Sequence, residues 1–488
     1  MDIHEKKIEP KQPLSAQEKK LLSEIDAQRE ELVDLIQKMV QIDSVNIAED
    51  VYNERNEVFQ FLEKSIKKMG LKVNPVKVPF PGGSKDQYYI NLMAGIDGKG
   101  PGKRLQFNGH LDTVSYNSDN WHSDTLPTSG VIKDGMLYGR GSADMKSGVA
   151  AMVIAMKTLK NSGLDFNGRL QLWCTPDEET HGAYGSDYMV KNFPKLVKTN
   201  ATVISEARSQ PPLQTPVITI GEKGPHWLRF TFYGASGHGS IPKPKSNAIN
   251  KAVRFMAHAE EYLYIPFKKI PLNSFKYFQY YLKRYKLFDL IKLLVNKKKV
   301  SNPYEKDDRK MRTSFETTYS FDVIRAGRKV NIVPDVCELD VDFRVVPGLS
   351  TQGLMDRIST YCTALEYKIE LPEEFENKQT KKSEFKKEPV DVRVSVITIG
   401  EGFMVDMDSE FGTTLQQAFE AVYESAPVPT FSSGFSDAGN MLSGGMQEVF
   451  NIGPQGYNIH NANEHVDIES VVTCAKLYLL TAYRFLKE

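Results

Sequence analysis

"QFNGHLDTV", Gln106 to Val114, is an apolar run that closes on a histidine and an aspartate two places apart. Taken with its approach, as "RLQFNGHLDTV", it reads as a buried strand whose last residues are groups that resist burial. The surrounding chain extends the pattern. "SGVAAMVIAMKTLKNS" reads as a helix, "RLQLWCTP" as a strand, "GSDYMVKNF" as a helix and "ATVISEA" as a strand. This alternation predicts an α/β fold, a mainly parallel mixed sheet sandwiched by helices. Ligands of such sheets gather outside the carboxyl ends of the strands, which is where His110 and Asp112 stand.

Further out, "REELVDLIQKMVQI" and "EVFQFLEKSIKKM" carry apolar residues at three-to-four spacing and predict helices within 15–70. The texture changes near Val217. "PVITIGEKGPHWLRFTFYGASG" looks like antiparallel strands, "SNAINKAVRFMAHAEEYL" like a helix and "KVNIVPDVCELDVDFRVVPG" like another strand pair. After Phe403 the first texture resumes and closes on the helix "ESVVTCAKLYLLTAYRFL". The expected organisation is a catalytic domain of 1–216 and 404–488, interrupted by a smaller α+β domain of 217–403. Within the insertion, 262–300 holds ten basic residues against one acid, Asp289, and ten aromatics. It reads first as a helical excursion whose rings pack while its lysines stay wet. The alternative is a patch for a membrane surface or an amphipathic substrate.

Composition narrows the class. Of 488 residues, 40% are hydrophobic and 25% charged, an ordinary globular balance. Basic and acidic residues number 62 each, which gives no case for nucleic acid as a partner. Four scattered cysteines lack CxxC spacing and fit a reducing compartment. The polar N-terminus lacks a signal core and no apolar run is long enough to span a bilayer. A soluble, cytoplasmic protein is expected.

The chemistry lies in a set of acids and histidines. Asp112 can accept a hydrogen bond from one ring nitrogen of His110 and leave the other for a metal. "LYGRGSADMKSGVAA" holds Asp144 in a glycine-flanked turn before a helix, and its two oxygens suffice for two cations. "LWCTPDEETHG" ends a strand with Asp177, Glu178 and Glu179, "VISEARS" ends one with Glu206, and "NIGPQGYNIHNANEHVDIES" offers His460. Each stretch alone has a bland reading, as a core histidine or a solvated acidic loop. Together, imidazoles and carboxylates suit zinc, with manganese or cobalt as alternatives. Five ligands exceed one open tetrahedral zinc and suit two metals sharing a carboxylate.

The stretches "NGHLDTV", "LYGRGSADMKSG", "PDEETHGAYGS", "SEA", "GASGHGSIP", "VNIVPD", "DFRVVPG" and "GPQGYNIHNANEHV" resemble, in order and context, the co-catalytic zinc family. It includes aminoacylase, carboxypeptidase G, carnosine dipeptidases, acetylornithine deacetylase and succinyl-diaminopimelate desuccinylase. The resemblance implies a zinc-exopeptidase-like catalytic domain with an inserted lid and dimerisation domain, and two Zn2+ per subunit. His110 and Glu206 would hold one zinc and Glu179 and His460 the other, with Asp144 bridging. Asp112 would orient His110, and Glu178 would be the general base. A cis peptide after the bridging aspartate, Asp144–Met145, is implied as well. His238 would reach across a homodimer to the oxyanion in the partner's site. Arg344 and Asn331 would hold the substrate carboxylate or oxyanion, and "FSSGFSDAGNM" would add contacts at Ser436 and Gly434. The implied activity is hydrolysis of an N-acyl or peptide bond beside a free carboxylate, in N-acyl-amino acids or short peptides. A dipeptidase, or an acetylornithine or succinyl-diaminopimelate deacylase, is the alternative in the same class. A non-catalytic binding protein for amino-acid derivatives is the alternative outside it, and the intact Glu178 speaks against that.

Overall fold

The computed structural model describes residues 10, 12–47, 52, 55–207, 217–263, 317–375, 389–432 and 434–487. Of the basic, aromatic stretch 262–300, all but its first two residues lie outside that range, so its expected role is not addressed by the fold. The chain divides into two compact units. The first comprises Met1–Ile220, Val405–Thr430 and Ser436–Glu488, and the second comprises Gly221–Met404 with Phe431–Phe435.

The first unit is built on a mixed sheet. Its centre is parallel, in the order Arg169–Thr175, Arg104–His110, Ala201–Ile204 and Val449–Asn451. Both flanks run antiparallel. Tyr88–Asp97 lies between Lys72–Pro79 and Arg169–Thr175, and Val217–Glu222 meets Val449–Asn451 through Thr219 and Asn451. The alternating pattern foretells the parallel centre but not these flanks. The loop joining Lys72–Pro79 to Tyr88–Asp97 is too short for the crossover that a parallel pair requires.

The central strands Arg104–His110 and Arg169–Thr175 are buried after their first residue, because helices cover both faces. Their interior polar groups are paired across the sheet. Gln171 Nε2 donates to Gln106 Oε1 at 2.7 Å, and Trp173 Nε1 donates to Asn91 Oδ1 at 3.0 Å. The helix Ser147–Asn161 is apolar on nearly all sides, as its interior position demands, and packs against the closing helix Ile468–Lys487. The first helix, Ala16–Ala27, opens with a capping box between Ser15 and Glu18. Glu18 also accepts from Arg484 Nε at 2.8 Å, which ties the first helix to the last. All four cysteines are buried thiols, and no helix among the described residues is long and apolar enough to cross a membrane.

The second unit is a five-stranded sheet in the order Thr318–Ala326, Val336–Val345, Gly224–Tyr233, Val392–Ile399 and Ile369–Glu370. All pairs are antiparallel except the last. Burial alternates along Gly224–Tyr233 and Val336–Val345, so one face packs and the other is half exposed. Phe230, Phe232, Leu339 and Val341 form the packed face with Phe255 of the helix Ala248–Leu263 and Ile358 of the helix Thr351–Ala364. "KVNIVPDVCELDVDFRVVPG" does hold two strands, but they do not pair with each other. Ile332–Val333 pairs with Gly237–His238, while Val336–Val345 enters the main sheet. Val336–Val345 has Thr318–Ala326 on one edge and Gly224–Tyr233 on the other, which leaves no edge for Ile332–Val333.

Candidate metal centre

Four parallel strands run side by side, so their carboxyl ends open at one edge of the sheet. Arg104–His110 ends on His110 itself. Arg169–Thr175 ends just before Pro176, Asp177, Glu178 and Glu179, and Ala201–Ile204 ends two residues before Glu206. Past Val449–Asn451, a loop reaches His460 in left-handed conformation at φ 61°. Asp144 sits in the turn preceding the helix Ser147–Asn161, and the Asp144–Met145 peptide is cis. Gly141 holds that turn at φ 80°, where a side chain would strike Thr113 Cγ2 at 2.7 Å.

These ends bring the expected ligands together. Asp144 Oδ1 lies 3.0 Å from His110 Nε2, and Asp144 Oδ2 lies 3.1 Å from His460 Nε2. Each oxygen of one carboxylate therefore faces a different imidazole. His460 Nε2 is also 3.2 Å from Glu179 Oε2. Glu178 Oε2 stands 3.8 Å from His110 Nε2. Ligand atoms of His110, Asp144 and Glu179 lie within 4.8 Å of one another, as do those of His110, Glu178 and Glu206. Glu179 Oε1 is buried with no hydrogen-bond partner, an orphaned acceptor of the kind a cation satisfies. With nitrogen and oxygen donors only, the set fits a hard or borderline divalent metal.

Asp112 meets His110 in a different way from the one expected. The strand ends at His110, so a shared strand face does not align the two. Nδ1 of His110 makes its shorter contact, 3.0 Å, with the main-chain carbonyl of Asp112, and the carboxylate Oδ1 lies at 3.4 Å. The Asp112 carboxylate also accepts from the backbone N–H groups of Glu178 and Glu179, both at 3.2 Å, and from Asn46 Nδ2 at 3.0 Å. It fastens the acidic loop to the end of the histidine strand.

Negative charge dominates the electrostatics. Burial opposes ionisation of Asp144, but hydrogen bonds from His110 and His460 outweigh it and hold the carboxyl well below the usual range. Burial, followed by the charge of Glu206, pushes the Glu178 carboxyl well above its ordinary value, and burial raises Glu179 too. Hydrogen bonds to Asp144 and Glu179 push the His460 imidazole up to about 10. Carboxylates driven toward protonation beside imidazoles driven toward charge mark a cluster with an excess of negative charge. Divalent cations relieve such a cluster.

Of the remaining expected residues, Ser436 belongs to the first unit and His238, Asn331, Arg344 and Gly434 to the second. His238 is exposed on the short strand Gly237–His238, where its Nδ1 meets Ser240 Oγ at 2.7 Å. Asn331 is on the facing loop, and its carbonyl accepts from Gly239 N–H at 2.9 Å. Arg344 is on the inner strand Val336–Val345 and pairs through Nε with Asp342 Oδ2 at 3.0 Å. Ser436 is buried and caps the helix Asp437–Ser443 by accepting from Ala438 N–H at 3.3 Å, whereas Gly434 is exposed. Sequence reasoning missed the partners behind the ligands. Asn46, Arg140 and Glu464 are all buried, and Glu464 lies inside the stretch that carries His460. An acid four residues from a candidate ligand, on an otherwise uncharged turn, was the available signal.

Comparison with known proteins agrees with this arrangement. The model of peptidase family M20/M25/M40 matches residues 106–484. An uncharacterized metallohydrolase of Methanocaldococcus jannaschii is 28% identical over 410 residues, 80% of this chain and 84% of that protein. A succinyl-diaminopimelate desuccinylase of Sulfurovum is 35% identical over 156 residues, 32% of this chain and 40% of the relative. The solved dipeptidase Dug1p of Saccharomyces cerevisiae shares the fold with a TM-score of 0.69 at 17% identity, covering 97% of this chain and 100% of its own. A parallel-centred sheet, a cluster of acids and histidines at its carboxyl edge that could hold a metal, and a family match across most of the chain have one conclusion: this protein belongs to peptidase family M20/M25/M40 and is a metal-dependent hydrolase of amide or peptide bonds.

Proposed function

We propose that the protein is a binuclear zinc amidohydrolase that cleaves an N-acyl or peptide bond next to a free carboxylate. The observation that carries this reading is the double-facing carboxylate of Asp144, 3.0 Å from His110 and 3.1 Å from His460, with Glu178 buried beside it. His110 and Glu206 are assigned to one cation, Glu179 and His460 to the second, and Asp144 to both, with Co2+ or Mn2+ as alternatives to Zn2+. Such a pair, when bound, supplies Lewis acidity to a carbonyl and lowers the proton affinity of water.

The chain's own groups do the remaining work. Glu178 takes the proton of the attacking water and delivers it to the leaving nitrogen. Burial raises its carboxyl, which suits a group that must accept a proton and then give it up. Asp112 fixes the backbone of Glu178 and keeps that base at a constant distance from His110. Arg344 and Asn331 are the proposed grip on the substrate carboxylate or oxyanion, since a guanidinium binds a carboxylate through two parallel hydrogen bonds. His238 is the proposed oxyanion donor, supplied to the partner subunit of a homodimer. Gly434 is a proposed backbone contact, and the Ser436 hydroxyl shapes its loop from within the helix cap. The reading takes 217–403 as the inserted lid domain and the cytoplasm as the site of action. A dipeptidase or a succinyl-diaminopimelate-type deacylase is the second reading, and the desuccinylase relative supports it over the segment it matches.

The decisive variant is Glu178→Ala. It is expected to retain both metals by elemental analysis and to lose about 10²–10⁴ in kcat, and an active variant would overturn the assignment. A panel of acetyl-, succinyl- and long-chain acyl-amino acids and dipeptides, run on the metal-loaded parent, separates the two readings.

A further inference from the structure

A second carboxylate, outside the ligand set, is arranged in the manner of Asp112. Glu464 is 0% exposed. Its Oε1 accepts from the backbone N–H of Ala143 at 2.9 Å and of Asp144 at 3.0 Å. Its Oε2 is paired with Arg140 Nη1, and Arg140 Nη2 donates to the carbonyl of Asn461 at 3.3 Å. The Glu464 carbonyl in turn accepts from Gly139 N–H at 2.9 Å. Segment 139–144, which carries Asp144, is thus laced to segment 460–464, which carries His460. A buried carboxylate is costly unless its lone pairs are filled, and here all the partners come from these two segments.

His110 and Glu206 have other anchors. His110 ends a central strand, and Glu206 N–H is held by Asn451 Oδ1 at 3.2 Å. His460 has no strand beneath it, so its aim at Asp144 depends on what holds its turn. We propose that Glu464, with Arg140, is a positioning residue that holds Asp144 and His460 at one centre and thereby sets the affinity for the second cation, the one assigned to Asp144, Glu179 and His460. The inference rests on the metal-centre reading above. Because Asp144 serves both cations and His460 only the second, it predicts that loosening Glu464 weakens the second cation more than the first.

The test uses full-length protein stripped with a chelator and titrated with Co2+, followed by calorimetry and by visible absorption of the bound ion. The parent is expected to take up two ions. Glu464→Gln keeps an acceptor for the two N–H groups but turns an amide N–H toward Arg140. It is expected to bind the first ion within about threefold of the parent and the second about 10–100-fold more weakly. Arg140→Lys, which keeps a cation but not the fork, is expected to recover part of that loss relative to Arg140→Gln. Parental affinity for both ions in Glu464→Gln, or equal weakening of both, overturns the proposal. Should Glu464→Gln fail to fold, the Arg140 pair decides by the same measurement: parental second-site affinity in Arg140→Gln overturns it. A parent that takes up fewer than two ions overturns the metal-centre reading instead.

Discussion

Glu18 is a buried carboxylate shared by two distant parts of the chain, capping its own helix while accepting from Arg484. Burial opposes its ionisation, but hydrogen bonds from Arg484 and from the Ser15 backbone outweigh that and hold its carboxyl below the ordinary value. A depressed native pKa gives stability that is present above the unfolded value and is lost as pH falls through the native one. Glu18→Gln is therefore expected to be roughly 1.5–3 kcal/mol less stable than the parent at neutral pH. The gap should narrow below about pH 4, the unfolded carboxyl range. Urea melts across the pH range check this, and a gap that stays constant on acidification would refute it. At this scale the sequence was legible for the position in the fold of the residues proposed as ligands. Strand ends and glycine turns announce where His110, Asp144, Glu206 and His460 go. It was mute on Glu464 and Asn46, because a side chain that serves another residue's backbone has no spacing of its own, and on the N–H groups that the Asp112 carboxylate binds besides His110.

Among the elements, the helix Ser147–Asn161 matters most for the site, because it begins three residues after Asp144 and lies under the central strands. Its second residue, Gly148, lies against the end of Ala201–Ile204. A Cβ there would sit 2.4 Å from the carbonyl oxygen of Ser205 and 2.2 Å from its hydroxyl. Helix propensity alone would make Gly148→Ala stabilising by about 1 kcal/mol. Close packing predicts the opposite sign, a loss of about 1–3 kcal/mol, and displacement of the neighbouring Glu206. Thermal melts with and without metal give the sign directly, and a stabilised variant would show that the contact relaxes freely. The elements themselves were largely readable, since strongly apolar strands and amphipathic helices state their type. Partner choice was less so. The antiparallel pairing of Lys72–Pro79 with Tyr88–Asp97 follows from loop length, and Ile332–Val333 stays apart from Val336–Val345 because both edges of the latter are taken.

On the scale of the whole molecule, every group assigned to the cations and to proton transfer belongs to the first unit, which is itself assembled from three separate spans of chain. Metal binding should therefore stabilise that unit by mass action, by about 4 kcal/mol at a thousandfold excess over Kd. Scanning calorimetry of stripped protein is expected to show a transition that rises with Zn2+ concentration and falls back with chelator, and an unmoved profile would argue against a preformed site. The change of texture, where strand–helix alternation gives way to antiparallel strands and then returns, falls near Val217 and Phe403, and the second compact unit runs from Gly221 to Met404 with Phe431–Phe435. The function of 262–300 could not be read, because charge and aromatic content describe a surface without saying what meets it. The three-span assembly has a consequence during synthesis. His460 follows the entire second unit in chain order, so the proposed centre could not be complete until that unit has been synthesised. Under the proposed assignment, shorter products would carry Glu178 and most of the proposed ligands but not His460.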